Sequence, residues 1–455
     1  MNLSLSIEPE NLSLTFQQDS QLYYALVSLS VQGAAKIKRA VNWVFLADAS
    51  RSMRIPIINE TQFRHLARAG WAQEILVDGM AVWQIRGARP EEVDRQAPPA
   101  LAYVARALQS VVEQLDNADQ FALVACAEEA ALLVPPTSGA MRNALIEGIS
   151  RLKTLNLGEQ TDLAQGLRLG LATLARDSKP QATKRLFLLT DGFTQHAAEC
   201  LALAHQAAQQ GITISTLGLG GDFQEDLLIQ LADLSHGRAV FLQEAQAIPQ
   251  AVTQELAAAR DIALKAVTLT IAVASSVELW RATMIQPKLT PLEAPRNPSL
   301  AYQLAVGDLA QNSPILVLLE LLVRPAFGRA FPAGQRLGLA HLYAQSEGEF
   351  VAVDLPASYQ APSLPPPPTV LAAAARANAA RLQQRALEAH AKGQRAEAIS
   401  LLQAVAKRLT ELGENTWANA TLREAAALQT TGQTTKLGVK ELTYATRHLD
   451  PKPTP

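Results

Sequence analysis

Three small oxygen-bearing side chains, Asp48, Ser50 and Ser52, stand at alternate positions just after an apolar run. The run is Val41, Trp43, Val44, Phe45 and Leu46, with β-branched and aromatic members, and it reads as a strand buried on both faces. Open α/β sheets place ligands beyond the carboxyl ends of their strands. One carboxylate and two hydroxyls suit a hard cation such as Mg²⁺. The same residue types also cap helices and close turns, so the pattern does not decide by itself.

Two distant stretches add to it. Gly158-Glu159-Gln160-Thr161-Asp162 precedes a helical pattern, and the buried run Leu186–Thr190 delivers Asp191-Gly192. In a parallel sheet Asp48 and Asp191 leave strands at one edge, and Thr161 arrives from a loop at that same edge. Other candidates are thinner. His196, Cys200 and His205 share a predicted helix, but zinc needs further ligands in reach. Gly218, Gly220 and Gly221 follow a strand, yet Asp222 and Phe223 come next, and a tight turn accounts for them better than a nucleotide fingerprint. A hydrolase centred on Ser50 would need a nearby imidazole. His65 and His196 are the nearest in sequence, and His196 is expected at a solvated helix position.

The elements that must position these residues alternate. Helical spacing over Leu101–Leu115, Met141–Leu152, Asp162–Ala175, Thr194–Gln210, Phe223–Leu234 and Ile248–Ala258 separates strand-like runs at Phe121–Cys126, Lys184–Leu189, Ile212–Leu217 and Ala239–Leu242. Ala131–Val134 reads as a partner strand ending at Pro135-Pro136. The expectation is a doubly wound, mostly parallel α/β domain over 39–260. Residues 54–99 read as an insertion beside the Asp48 loop, with a short helix at Phe63–Ala69 and a hairpin turning at Asp78-Gly79.

The flanks have a different texture. Strand-like runs over 261–356 suggest a β-sandwich, which strands from 1–38 would join, making the α/β domain an insertion in it. A Pro-rich linker is expected over 357–369, and an Ala- and Leu-rich helical domain over 370–450. Within the latter a helical hairpin breaks at Lys392-Gly393, with small residues placed as in one tetratricopeptide-type unit. The tail from Pro451 is expected to be disordered.

At 455 residues the chain should hold several domains. Its net charge of -2 and lack of a basic arm argue against nucleic acid. The N-terminal MNLSLSIEPENLSL has no basic segment ahead of a long apolar run, so no signal peptide is expected. No apolar run reaches the ~18 residues of a membrane span. With only Cys126 and Cys200, a reduced cytoplasmic protein is expected.

The ordered set D-x-S-x-S, T-D at a helix start and L-L-T-D-G after a strand resembles the metal-ion-dependent adhesion site of von Willebrand factor type A domains. The resemblance covers roughly 40–260, and ITISTLGLGGD at Ile212–Asp222 adds to it. It implies that Ser50 and Ser52 ligate Mg²⁺ directly, with Mn²⁺ or Ca²⁺ as other candidates. Thr161 would ligate directly or through water, and Asp48 and Asp191 would hold coordinating waters. The remaining position would take an exposed Asp or Glu of a protein partner. Arg51 stands where the family usually has Gly, a bulky cation expected beside the ion. The resemblance implies a non-enzymatic interaction module or scaffold, and by analogy a partner such as an AAA-type ATPase or a signalling or defence assembly. The alternatives are a scaffold with a vestigial site that binds through its helical tail, and a metal-assisted hydrolase.

Overall fold

The computed structural model describes residues 2–14, 19–33, 39–54, 64–65, 67–77, 80–85, 98–176, 182–220, 223–294, 301–324, 336–359, 365–434 and 436–447. The chain forms two compact units, one of residues 39–260 and one joining 1–38 to 261–455.

The first unit is built on a six-stranded sheet in the order β11-β10-β9-β4-β7-β8. The strands are β4 (Val41–Asp48), β7 (Gln120–Cys126), β8 (Ala130–Ser138), β9 (Thr183–Thr190), β10 (Ile212–Leu219) and β11 (Ala239–Leu242). All pairings are parallel except β7 with β8. Around them run α1 (Arg51–Arg54), α2 (Ala100–Gln114), α3 (Arg142–Ser150), α4 (Leu163–Ala175), α5 (Ala197–Gln209), α6 (Glu225–Leu234) and α7 (Ile248–Arg260).

β4 is central and wholly buried. Its alternation divides the core. Val41, Trp43, Phe45 and Ala47 face a cluster with α2, α3 and α7, where Phe45 stacks on Trp43 and on Phe121 with centroids 5.4 and 5.2 Å apart. Burying one such side chain contributes about 1.5–3 kcal/mol. Val44 and Leu46 face α4 instead. That helix lies close because a Cβ on Gly166 would meet Leu46 Cδ1 at 2.8 Å, and one on Gly170 would meet Leu186 Cδ1 at 2.8 Å. Asp48 follows the same alternation, so it leaves the sheet on the α4 face.

β8 corrects one expectation. It passes through Pro135 and Pro136 to Ser138 rather than stopping there. It is the edge strand, where a missing N–H costs no ladder bond. In the 54–99 stretch, β5 (Ala72–Val77) pairs with β6 (Met80–Ile85), and His65 and Ala67 lie in helix. The turn at Asp78-Gly79 and residues 86–97 lie outside the described residues.

The second unit holds two five-stranded sheets, β1-β3-β16-β13-β14 and β15-β12-β17-β18-β2, with β2 at Ser13–Leu14, β12 at Ile262–Val273, β13 at Val277–Gln286, β14 at Thr290–Leu292, β15 at Ala301–Ala310, β17 at Arg336–Ser346 and β18 at Glu349–Tyr359. β1 (Asn2–Pro9) and β3 (Gln21–Gln32) therefore share a sheet with β16 (Ile315–Val323). β16 reads as continuously apolar because both of its faces are covered. Val317, Leu319 and Leu321 face the core between the sheets, while Leu318, with Leu26 and Ile285, lies under Val370, Ala373 and Ala377. That valine and the two alanines stand on α8 (Pro368–Ala391), which starts with proline at its first helical position. Glu320 is buried on that same strand face and pairs with Arg381 of α8 and, at 3.7 Å, with Arg281. α8 closes at Lys392-Gly393, and α9 (Arg395–Glu411), α10 (Asn415–Thr431) and α11 (Lys436–Arg447) follow. The residues from Pro451 lie outside the described residues. Among the described residues no helix is long and apolar enough to cross a membrane.

Candidate functional site

The five residues singled out in the sequence come together at the carboxyl edge of the sheet. Asp48, the last residue of β4, is fully buried. Its Oδ1 accepts from Ser50 N at 2.9 Å, and its Oδ2 accepts from Thr190 Oγ1 at 2.6 Å and Thr161 Oγ1 at 3.3 Å. Ser50 Oγ lies 3.1 Å from Ser52 Oγ, and Ser52 Oγ donates to Asp191 Oδ1 at 2.6 Å. Two carboxylates and four hydroxyls, those of Ser50, Ser52, Thr161 and Thr190, thus form one hydrogen-bonded cluster.

Burial pushes the Asp48 carboxyl above its ordinary value, against the hydrogen bonds of Thr190, Ser50 and Thr161. Burial also pushes Asp191 up, to about 6; the Ser52 bond opposes this and the charge of Asp48 adds to it. Among the described residues no Lys or Arg pairs with either carboxylate. Two crowded acids compensated by neutral donors alone are suited to a divalent cation. Among the described residues no group of three or more His, Cys, Asp or Glu side chains is arranged to hold a metal. The candidate set here relies on hydroxyls for the rest of its oxygens.

The loop that brings Thr161 is strapped on both sides. Arg54 donates to Gly158 O at 2.8 Å and to Asn156 Oδ1 at 3.2 Å. Just after β7, Glu128 Oε1 accepts from Glu159 N at 3.2 Å, and Ala127 O accepts from Asp162 N at 2.8 Å. Gly158 is required there, with φ of 108° and a Cβ position 2.7 Å from Glu128. Asp162 caps α4 by accepting from Gln165 N at 3.2 Å.

Arg51 departs from the expectation of a cation beside the ion. Its guanidinium reaches outward to Glu159 at 3.5 Å, both side chains largely exposed, and its N–H donates to Glu159 O. An exposed ion pair leaves that charge already answered, though weakly. His196 is exposed, as expected. It stands at the start of α5 with Nδ1 3.1 Å from Asp162 Oδ1. Burial raises the Asp162 carboxyl, but the bonds from Gln165 and His196 outweigh it and hold it below its usual range. Cys126 and Cys200 are free and buried, and burial pushes both thiols up, Cys200 to about 12.

Thr190 is the site residue that sequence reasoning missed. Its hydroxyl joins Asp48 Oδ2 to Gly192 N at 3.1 Å, so it fixes two of the three loops together. The signal was present, a hydroxyl ending a buried apolar strand directly before the acid.

Comparisons with known proteins agree with the architecture. The profile of the von Willebrand factor type A domain matches residues 97–254, a span that takes in Thr161 and Asp191 and begins after the Asp48 loop. That of the Sll0103-like C-terminal alpha-helical domain matches residues 368–452. The uncharacterized protein sll0103 of Synechocystis sp. is 24% identical over 226 residues, 49% of this chain. The match spans about half of that relative, 53% of its length. Among solved structures, a von Willebrand factor type A protein from Catenulispora acidiphila superposes with TM-score 0.74 at 15% identity, covering 98% of this chain and 96% of that one. The ArnB paralog VWA2 from Sulfolobus acidocaldarius does so with TM-score 0.51 at 14% identity, covering 98% of each chain. At these identities the likeness is one of fold. The α/β unit of this chain thus contains a von Willebrand factor type A domain, and its last helices form a C-terminal domain of the Sll0103-like kind.

Proposed function

We propose that Ser50, Ser52, Thr161, Asp48 and Asp191 bind a divalent cation, Mg²⁺ first, and that the protein is an interaction module rather than an enzyme. The observation that carries this is a buried carboxylate, Asp48, and a half-buried one, Asp191, linked through one set of hydroxyls with no cationic side chain on either among the described residues. Ser50, Ser52 and Thr161 would offer neutral oxygens, and Asp48 and Asp191 would balance charge while accepting from the hydroxyls. When bound, the ion supplies an electrophilic centre for a partner's Asp or Glu carboxylate. A neutral inner set suits anion capture, since few carboxylates then dull the ion. A cytoplasmic place of action belongs to this proposal, and free buried thiols are compatible with a reducing compartment.

Calorimetric titration of Mg²⁺ into the full chain and into Ser52→Ala tests the site. Saturable binding in the parent and none in the variant is expected. Equal heats in both would overturn the assignment. Proteins that co-purify with Mg²⁺ and are released by EDTA then define the partner.

A further inference from the structure

Phe193 follows the Asp191-Gly192 step and is 59% exposed. Leaving a phenylalanine largely in water forgoes part of a favourable burial. Its backbone is nevertheless held on both sides. Gly192 N donates to Thr190 Oγ1 at 3.1 Å, and Thr194 N donates to Gln224 Oε1 at 3.0 Å. Thr194 is itself buried, and its Oγ1 accepts from His196 N at 3.3 Å. The aromatic ring is therefore presented by a fixed loop. Two residues of chain span at most about 7 Å, so its backbone lies within that distance of Asp191. An aromatic side chain orders few torsions on binding and gains a large contact area. Arg51 and Glu159, also exposed at this rim, are already engaged with each other at 3.5 Å.

We propose that Phe193 is a specificity-determining contact of this site. It selects protein segments in which the acidic residue is flanked, within two positions, by a bulky apolar side chain. The proposal rests on the reading of the site as a cation-dependent carboxylate receptor. The carboxylate supplies the ion-dependent part of recognition, and the apolar neighbour packs on the exposed ring.

The probe is a random peptide library displayed on phage and panned in Mg²⁺ against the full chain, Phe193→Ser and Ser52→Ala. Phe193 is exposed, so its substitution leaves the core untouched. The parent is expected to enrich peptides that pair an acid with a bulky apolar neighbour, and Ser52→Ala to enrich neither. Phe193→Ser is expected to keep the Mg²⁺-dependent acid preference and lose the apolar one. Individual parent-selected peptides should bind it about tenfold more weakly. An acid-enriched parent pool without apolar preference, or the same apolar preference in Phe193→Ser, overturns the role of Phe193 and leaves the receptor reading standing. A parent pool without Mg²⁺-dependent acid enrichment overturns both.

Discussion

The two ends of β4 each meet a buried aspartate, and the chain treats the two in opposite ways. At the amino end Asp119 accepts from Val41 N and Asp116 N, each at 2.9 Å, and from Arg260 Nη2 at 2.8 Å. At the carboxyl end Asp48 accepts, among the described residues, from hydroxyls and an amide. Asp119 is closed off by a cation of the chain itself, and among the described residues Asp48 is not. Glu320 in the other unit follows the first pattern, between Arg281 and Arg381. A buried acid held by arginine belongs to the fold. One held by neutral donors alone is left for the proposed cation to compensate.

That contrast can be broken, and the largest effect should come from the closed end. Asp119→Ala removes the nearer carboxylate partner of Arg260 together with the acceptor of two backbone amides, that of Val41 buried. A loss of about 3 kcal/mol is expected from a broken, partly buried pair of this kind. Hydrogen exchange of the β4 amides reads it, and a loss below about 1 kcal/mol would erase the distinction between the two ends. Mg²⁺ binding should survive in whatever fraction stays folded.

Asp48→Asn should behave in the opposite way. In EDTA its melting temperature is expected to equal or exceed that of the parent, because a desolvated charge has been removed. With Mg²⁺ at a hundredfold over Kd the parent should gain about 2.7 kcal/mol, and the variant nothing. A comparable gain in both would show that the ion sits elsewhere.

Arg54→Ala sharpens the same end by loosening the Thr161 loop without touching a proposed ligand. Mg²⁺ affinity should fall about tenfold, with the melting temperature in EDTA nearly unchanged. An unaltered titration would mean that the strap does not position Thr161.

The smallest effect concerns a partly buried acid in the other unit. Burial pushes Glu10 up from 4.5 to about 7, only partly offset by a backbone hydrogen bond at Tyr24. The folded form holds its proton more tightly than the unfolded form does. Its stabilising contribution is therefore complete below about pH 4.5 and lost as pH rises through about 7. Glu10→Gln should flatten the dependence of thermal stability on pH across that window, and an unchanged profile would place the titration elsewhere.

Much of this was legible in the sequence where one residue or one period carries the meaning. The alternation of helical and strand spacing gave the doubly wound sheet. Asp48, Ser50, Ser52, Thr161 and Asp191 stood out because their types suit one chemistry at one sheet edge. Partnerships between distant residues were not legible. Asp119 and Arg260 lie 141 positions apart, and nothing local links them. His196 reaches Asp162 across two loops, and Arg51 turns to Glu159, because the sheet order brings those loops together. Pro135 and Pro136 suggested an end to β8, since the tolerance of an edge strand for proline depends on its having no outer neighbour. Glu320 was hidden inside an apolar run, and the arginines that explain its charge come from the neighbouring strand and the helix packed above it.

β16 carries an implication for how the protein is made. Its even-numbered face, with Leu26 and Ile285, is covered by α8, which leaves the ribosome after every strand of both sheets. Until that helix arrives the nascent sandwich presents an oily stripe with the carboxylate of Glu320 beside it, the kind of surface that invites chaperones or clumping. A chain cut before Pro368 would keep that stripe for good, so removing the helical tail should lower soluble yield before it says anything about what the tail binds.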